Sequence, residues 1–220
     1  MSPQQEDGIG ADNMNFRAII GAACLALLSC GQAGAVEQAG KPQDFAKVYG
    51  KALPPIGFVE FCGRNPADCK ASGEDAERVD LNPERWGLLA QVNAYVNAKI
   101  APVSDQDLYG KAEYWTLPTD AGDCEDYLLL KKKYLEGLGF SPDSLLITVV
   151  LDEKNEGHAI LTVASMQGDF VLDNRRDEIL RWSDANYRFL KRQSQKDPRQ
   201  WVALIKQGTK ASGNISGSKP

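Results

Sequence analysis

Three short β-rich segments near the middle of the chain constrain the fold more than any other feature. They are residues 145–151 (LLITVVL), 158–164 (HAILTVA) and 169–173 (DFVLD). Their β-branched residues predict strands, and the turn residues Gln167-Gly168 predict that the last two strands form a hairpin. Further strand-like segments follow at residues 177–182, 187–190 and 201–205. We expect the last of these, WVALI, to close the sheet.

Two helices are predicted before these strands. The first starts at Asn82, which can cap a helix, and Pro83 suits the first helical position. Apolar residues then recur with a period near 3.6. The second follows Cys124 and ends at Gly137 and Gly139. Helices followed by a run of strands indicate an α+β fold, with the helices packed on an antiparallel β-sheet.

Two other stretches are expected to be irregular. Residues 53–70 are punctuated by proline and glycine, and residues 103–121 read as a loop with three aromatic side chains, Tyr109, Tyr114 and Trp115. We expect these aromatic side chains to pack against the rest of the domain. The alternative is that they line a cleft, because the loop directly precedes Cys124.

Residues 1–35 are interpreted as an N-terminal extension and an export signal. Residues 14–17 are short and positive, and residues 18–29 (AIIGAACLALLS) form an apolar run too short to span a bilayer. Two endings fit. The A-x-A pattern favours cleavage after Ala35, and the lipobox-like LLSC would instead leave Cys30 lipidated. The predicted location is periplasmic or secreted, with anchoring at Cys30 as the alternative.

A single domain of residues 36–207 is expected to follow the signal, and residues 208–220 are small and polar, which predicts a disordered tail. The net charge of −5 over 220 residues argues against a nucleic-acid binder. No basic run interleaved with aromatics opposes that conclusion.

If the protein is exported, its five cysteines fall into three groups: a disulfide pair, two in the signal and one remaining thiol. Cys62 and Cys69 lie close together in FCGRNPADCK, and in an oxidising compartment they are expected to form a disulfide. Cys24 and Cys30 belong to the signal, so Cys124 is the thiol left over. Such a thiol is either reactive or buried and inert.

Cys124 opens the second predicted helix in the stretch GDCEDY. The positive end of a helix favours a thiolate, whereas Asp123, Glu125 and Asp126 oppose it. An imidazolium partner would supply the missing stabilisation. The chain has one histidine, His158.

The predicted hairpin places Asp173 on the same face as His158. Whether the turn uses Gln167-Gly168 or residues 165–168, odd-numbered residues pair with even-numbered ones. His158 and Asp173 are then diagonal neighbours, roughly 7–8 Å apart. We therefore predict a Cys-His-Asp site in which Asp173 orients His158 and Cys124 is the nucleophile. The alternative is a zinc or calcium binding module in which the same three residues are ligands.

Three motifs, in this order and spacing, resemble the bacterial transglutaminase-like cysteine proteinases: GDCEDY at 122–127, GHAILTV at 157–163 and GDFVLDN at 168–174. The resemblance implies a papain/transglutaminase-like fold with the nucleophile at a helix N-terminus. It assigns Cys124 as nucleophile, His158 as general base and acid, and Asp173 as the residue that orients it.

The resemblance also implies a cofactor and partners. Well-known members of the family are calcium-dependent periplasmic proteases that cleave large surface adhesins and so release biofilm cells. An inner-membrane receptor for cyclic-di-GMP sequesters them. By this resemblance Asp123, Glu125 and Asp126 hold Ca²⁺, which cancels their unfavourable effect on the thiolate. We therefore expect an exported cysteine endopeptidase, with transglutaminase-type acyl transfer at the same site as the alternative.

Overall fold

The computed structural model describes residues 44–71 and 77–206. The predicted signal of residues 1–35, with Cys24 and Cys30, lies outside the described residues, as does the predicted tail of residues 208–220. In the described part of the chain, no helix combines the length and the apolar character needed to cross a membrane.

The described residues form nine strands: β1 (Lys51–Ala52), β2 (Ala101–Pro102), β3 (Ala121–Gly122), β4 (Leu145–Leu151), β5 (Gly157–Ser165), β6 (Gly168–Asp173), β7 (Arg176–Arg181), β8 (Arg188–Gln193) and β9 (Trp201–Ala203). Seven of them form one sheet in the order β1-β9-β8-β4-β5-β6-β7, and all neighbours are antiparallel. The short strands β2 and β3 pair separately and in parallel. The predicted antiparallel sheet is confirmed, and β9 lies within it rather than at its edge.

Four α-helices occur in the same residues: α1 (Ile56–Arg64), α2 (Pro83–Lys99), α3 (Asp105–Tyr109) and α4 (Cys124–Gly137). Helices α2 and α4 pack on each other, and they contact β7 and β5 respectively. Asn82 caps α2 as predicted, since its side chain accepts a hydrogen bond from the Arg85 backbone N–H at 2.8 Å. The molecule is an α+β fold with helices packed on an antiparallel sheet.

Strand alternation separates two hydrophobic clusters. Val149 and Leu161 belong to the larger cluster, which includes the buried faces of α2 and α4. Val150 and Ile160 point the other way into a smaller cluster. Because successive strand residues face opposite sides of a sheet, both faces of β4 and β5 are covered. These buried strands provide a rigid support for residues at their ends.

The prediction that residues 53–70 are irregular is wrong, because α1 forms there. Phe58 and Phe61 lie one turn apart, are buried, and join the larger cluster. The Phe58 ring packs edge-on against Trp115 and Trp201. Gly57 lets this packing occur, since a Cβ atom there would come within 2.4 Å of Trp115. Tertiary packing thus overrides the local signal of proline and glycine.

Residues 103–121 also contain more structure than predicted. They include α3, which Ser104 caps by accepting a hydrogen bond from Asp107 N–H. Trp115 is buried, and the rings of Tyr109 and Tyr114 lie 4.9 Å apart. The expected packing role is confirmed for Trp115, whereas Tyr109 is exposed.

The predicted disulfide is present. Cys62 and Cys69 are joined, and the bond links α1 to a 3-10 turn at Pro66–Cys69. Cys124 lies outside this disulfide.

Candidate active site

Cys124 is the first residue of α4 and is buried, with 5% of its surface exposed. Its thiol donates a hydrogen bond to Glu125 Oε2 at 3.1 Å. The first backbone N–H groups of a helix have no intrahelical partner and carry the positive end of its dipole. The sulfur therefore lies beside donors that favour a negative charge.

His158 and Asp173 form a buried pair. His158 lies at the start of β5 and Asp173 at the end of β6, and His158 Nε2 lies 2.9 Å from Asp173 Oδ1. The ladder pairs Ser165 with Gly168, so the four-residue turn is the observed register. The structure brings the two side chains together as the alternation predicted.

Asp173 accepts hydrogen bonds on both oxygens. Oδ1 also accepts from the Arg175 backbone N–H at 3.1 Å, and Oδ2 accepts from the Tyr187 hydroxyl at 2.6 Å. Arg176 forms an ion pair with Oδ2 at 3.5 Å. Burial acts to raise the pKa of Asp173, but the hydrogen bond and charge of His158 and the Tyr187 hydroxyl outweigh it. The pKa of Asp173 therefore lies well below its usual range, and the carboxylate is ionised.

Cys124 and His158 line the same cavity, which has a volume of about 500 Å³. A carboxylate only accepts hydrogen bonds, so Nε2 of His158 must donate to Asp173. In the neutral ring Nδ1 is then the acceptor. Nδ1 is buried and has no hydrogen-bond partner in the part of the chain that the structure describes. It is the ring nitrogen left to take a proton.

A second group of buried side chains lies next to Cys124. One carboxylate oxygen from each of Asp105, Asp123 and Asp126 lies within 4.8 Å of the other two. Each residue keeps one buried oxygen without a hydrogen-bond partner among the described residues: Asp105 Oδ1, Asp123 Oδ1 and Asp126 Oδ2. The other oxygens accept backbone hydrogen bonds, as Asp126 Oδ1 does from Thr116 at 2.8 Å. Three clustered, buried carboxylates, each with one oxygen that lacks a hydrogen-bond partner among the described residues, fit a hard cation.

The raised pKa values of these carboxyl groups agree with a cation site. Burial raises the pKa of Asp126 to about 8, and the charges of Asp123 and Asp105 add to the effect. Burial likewise raises the pKa of Asp123 to about 6. The pKa of Glu125 is raised well above its usual value by burial and by Asp123. A cation would offset the repulsion that these shifts reflect.

The observed group differs from the predicted metal ligands Asp123, Glu125 and Asp126. The structure adds Asp105, 18 positions before Asp123. It leaves Glu125 outside the group, with its carboxylate accepting the hydrogen bond of the Cys124 thiol. Asp105 was missed because two-residue strands, β2 and β3, bring α3 to the start of α4. The cap residue Ser104 was the available signal for a helix there.

Gly122 makes this arrangement possible. A Cβ atom at Gly122 would come within 2.5 Å of Asp126 Oδ2 and 2.7 Å of Asp126 Cβ. The side chain of Asp126 can therefore turn back toward β3 only because residue 122 lacks one. This explains the glycine in the GDCEDY motif in physical terms.

The sequence model of the bacterial transglutaminase-like cysteine proteinases (BTLCP) matches residues 48–209. The chain belongs to this family. It is therefore a cysteine peptidase with a transglutaminase-like fold. No curated protein matches the chain.

Solved structures of Legionella pneumophila LapG are similar to the chain. The calcium-bound form is 23% identical, with a TM-score of 0.47, and the match covers 59% of this chain and 75% of that one. The EGTA-treated form is 23% identical over 60% of this chain and 71% of that one, with a TM-score of 0.45. A further LapG structure is 25% identical over 49% and 62%, with a TM-score of 0.42.

Family membership decides between an enzyme and a metal-binding module. The module required Cys124, His158 and Asp173 to act together as ligands. Within residues 44–71 and 77–206, the group of side chains close enough to hold a metal is instead the trio Asp105, Asp123 and Asp126. His158 Nε2 is already engaged with Asp173.

Proposed function

We propose that the chain is an exported cysteine endopeptidase that uses Cys124, His158 and Asp173 as its catalytic triad. One observation carries this proposal. Cys124, at the start of α4, and His158, held at 2.9 Å from Asp173, line one cavity. Family membership supplies the reaction class.

The first half of the reaction forms an acyl-enzyme. His158 Nδ1 takes the thiol proton, and Cys124 Sγ attacks the carbonyl carbon of a peptide bond. The negative charge on the carbonyl oxygen is stabilised by backbone N–H groups at the start of α4, including that of Cys124. His158 then gives its proton to the amide nitrogen, the C–N bond breaks, and the amine product leaves.

The second half regenerates the enzyme. His158 Nδ1 removes a proton from water, the oxygen attacks the thioester carbon, and the S–C bond breaks. The products are a carboxylic acid and the Cys124 thiol. Throughout, ionised Asp173 stabilises the imidazolium and keeps its ring oriented.

We also propose that Ca²⁺ binds Asp105, Asp123 and Asp126. The support is the set of three buried oxygens without hydrogen-bond partners among the described residues. Oxygen ligands from carboxylates suit calcium. Bound there, the ion supplies positive charge beside Cys124, which favours the thiolate. Glu125 enters this proposal as a neighbour of the thiol, and its predicted role as a ligand stays a prediction.

A peptidase of this family acts on a protein substrate. Four more specific features are predicted from the sequence and its family resemblance alone. They are the periplasmic or secreted location, lipidation at Cys30, a surface adhesin as substrate, and a cyclic-di-GMP receptor as regulator. The residues that the structure describes do not test them, so they stay predictions.

Cleavage of a peptide library tests the proposal. The protein, with calcium, is mixed with peptides derived from a bacterial proteome, and new termini are identified by mass spectrometry. We expect new termini from the wild type and none from Cys124→Ala. Equal cleavage by both proteins would contradict the assignment of Cys124. Amide products formed with an added primary amine, in place of new carboxyl termini, would favour the acyl-transfer alternative.

A further inference from the structure

Tyr187 contacts both members of the histidine–aspartate pair, and no step above uses it. Its hydroxyl donates a hydrogen bond to Asp173 Oδ2 at 2.6 Å. Its ring centroid lies 5.6 Å from that of His158, with the planes tilted by 55°. Tyr187 does not belong to the residues that line the cavity around Cys124. Any effect it has on the chemistry must therefore pass through Asp173 and His158.

The backbone at Tyr187 is firmly anchored. Tyr187 follows Asn186, which adopts the left-handed conformation with φ of 52°. It directly precedes β8, where Phe189 pairs with Val150 of the central strand β4. Phe189 is buried in the smaller cluster and packs edge-on against Trp182. The tyrosine ring therefore projects from a fixed point toward the end of β6.

The Tyr187 hydroxyl completes the set of hydrogen-bond donors around the Asp173 carboxylate. A carboxylate bound through one oxygen can rotate about its Cβ–Cγ bond and exchange its two oxygens. Oδ1 of Asp173 is bound by His158 and by the Arg175 backbone. Oδ2 accepts its one hydrogen bond from Tyr187 and forms a longer ion pair with Arg176. With both oxygens held, this rotation is blocked. Hydrogen bonds to a charged acceptor are the stronger class, so the restraint is substantial.

We propose that Tyr187 is a positioning residue of the active site. It fixes Asp173 in the rotation that receives the Nε2–H of His158, so that Nδ1 is presented as acceptor in the cavity. Its ring also lies beside His158, which is 3% exposed, and Asp173 is 1% exposed. This inference rests on the proposed triad and adds to it a fourth residue from a different part of the chain.

The chain itself offers a direct readout. It contains one histidine, so every histidine signal in an NMR spectrum belongs to His158. In the wild type, ¹⁵N-histidine labelling should show neutral His158 with its proton on Nε2. In Tyr187→Phe, we expect a mixture of the two tautomers. We also expect kcat to fall about tenfold while KM stays within about twofold.

Tyr95→Phe is the matched control, since Tyr95 is an exposed tyrosine on α2. We expect its kcat, KM and histidine spectrum to equal those of the wild type. Two results would overturn the inference: a Tyr187→Phe protein with wild-type kcat, or one with lowered kcat but an unchanged tautomer. Failure of the triad itself is distinguishable, because Asp173→Asn would then also keep full activity.

Discussion

The hydrogen-bonding groups of buried aspartates are satisfied in opposite ways beside His158, where Asp173 lies, and beside Cys124, where Asp105, Asp123 and Asp126 lie. On the strand side, both oxygens of Asp173 accept hydrogen bonds from protein donors, and its pKa is lowered. On the helix side, Asp123 and Asp126 each keep an orphaned oxygen, and burial raises their pKa to about 6 and about 8. All three carboxylates are buried, yet the pKa of Asp173 is lowered and the pKa values of Asp123 and Asp126 are raised, because the hydrogen-bond donors around each carboxylate differ.

This difference in hydrogen bonding suits the two sides to two tasks, orienting His158 and binding a cation. The strand side is complete within the chain and can orient His158 without a cofactor. The helix side keeps unpartnered carboxylate oxygens among the described residues, and the proposed calcium ion would supply the missing positive charge. Variants that should affect one side and leave the other unchanged test whether the two sides are independent.

The largest expected effect comes from Asp173→Asn. The amide keeps the shape of the carboxylate but loses the charge that stabilises the imidazolium, and it favours the wrong histidine tautomer. We expect kcat to fall by roughly 10³–10⁴. Calcium affinity, measured by isothermal titration calorimetry, should stay within about twofold. A large loss of calcium affinity would show that the two sides are not independent.

Asp126→Asn should act on the other side. It removes one of three converging carboxylates, and we expect calcium affinity to fall on the order of 100-fold. Without calcium the same variant should unfold at a higher temperature than the wild type, because a repelled buried carboxylate is gone. Asp173→Asn should unfold at a lower temperature. Destabilisation of the calcium-free protein by Asp126→Asn would contradict the cation-site interpretation.

A smaller effect is expected from pH on the calcium-free protein. Asp123 and Asp126 titrate near pH 6 and pH 8 in the folded state and near 3.9 when unfolded. The folded state then binds more protons between these values, so stability falls as pH rises from 4 to 8. We expect the unfolding temperature to drop by on the order of 10 °C between pH 5 and pH 9.

Saturating calcium should remove this decline, because the bound ion keeps the carboxylates ionised at no cost in repulsion. The double variant Asp123→Asn, Asp126→Asn should show a smaller decline over the same range with or without calcium, because Glu125 keeps a pKa raised by burial. An unfolding temperature that rises from pH 5 to pH 9 without calcium would contradict the assigned shifts. Differential scanning fluorimetry at fixed ionic strength is sufficient to measure it.

Elements with strong local signals could be predicted from the sequence. Helix α2 has a cap at Asn82 and a proline at position 83, and β4 has a β-branched run, ITVV, at its centre. The His158–Asp173 pair followed from the alternation of side chains in a hairpin, which holds for either turn length. Cys124 followed from counting cysteines and locating a helix start.

Other features depend on contacts between distant residues and have no local signal. Helix α1 forms because Phe58 packs on Trp115 and Trp201, although prolines and glycines surround it. Asp105 reaches the cation site through a two-residue parallel pairing. Tyr187 reads as a strand residue, and only the folded chain shows that its hydroxyl meets Asp173.

The most direct test of the account is the pH dependence of Cys124 alkylation by iodoacetamide, with calcium, in protein lacking residues 1–35. Cys62 and Cys69 are joined in a disulfide, so the label reports Cys124. The account predicts rapid labelling well below pH 8 in the wild type and its loss in His158→Ala. If both proteins label as an ordinary thiol with a pKa near 8.5, His158 does not activate Cys124, and the proposed triad is wrong.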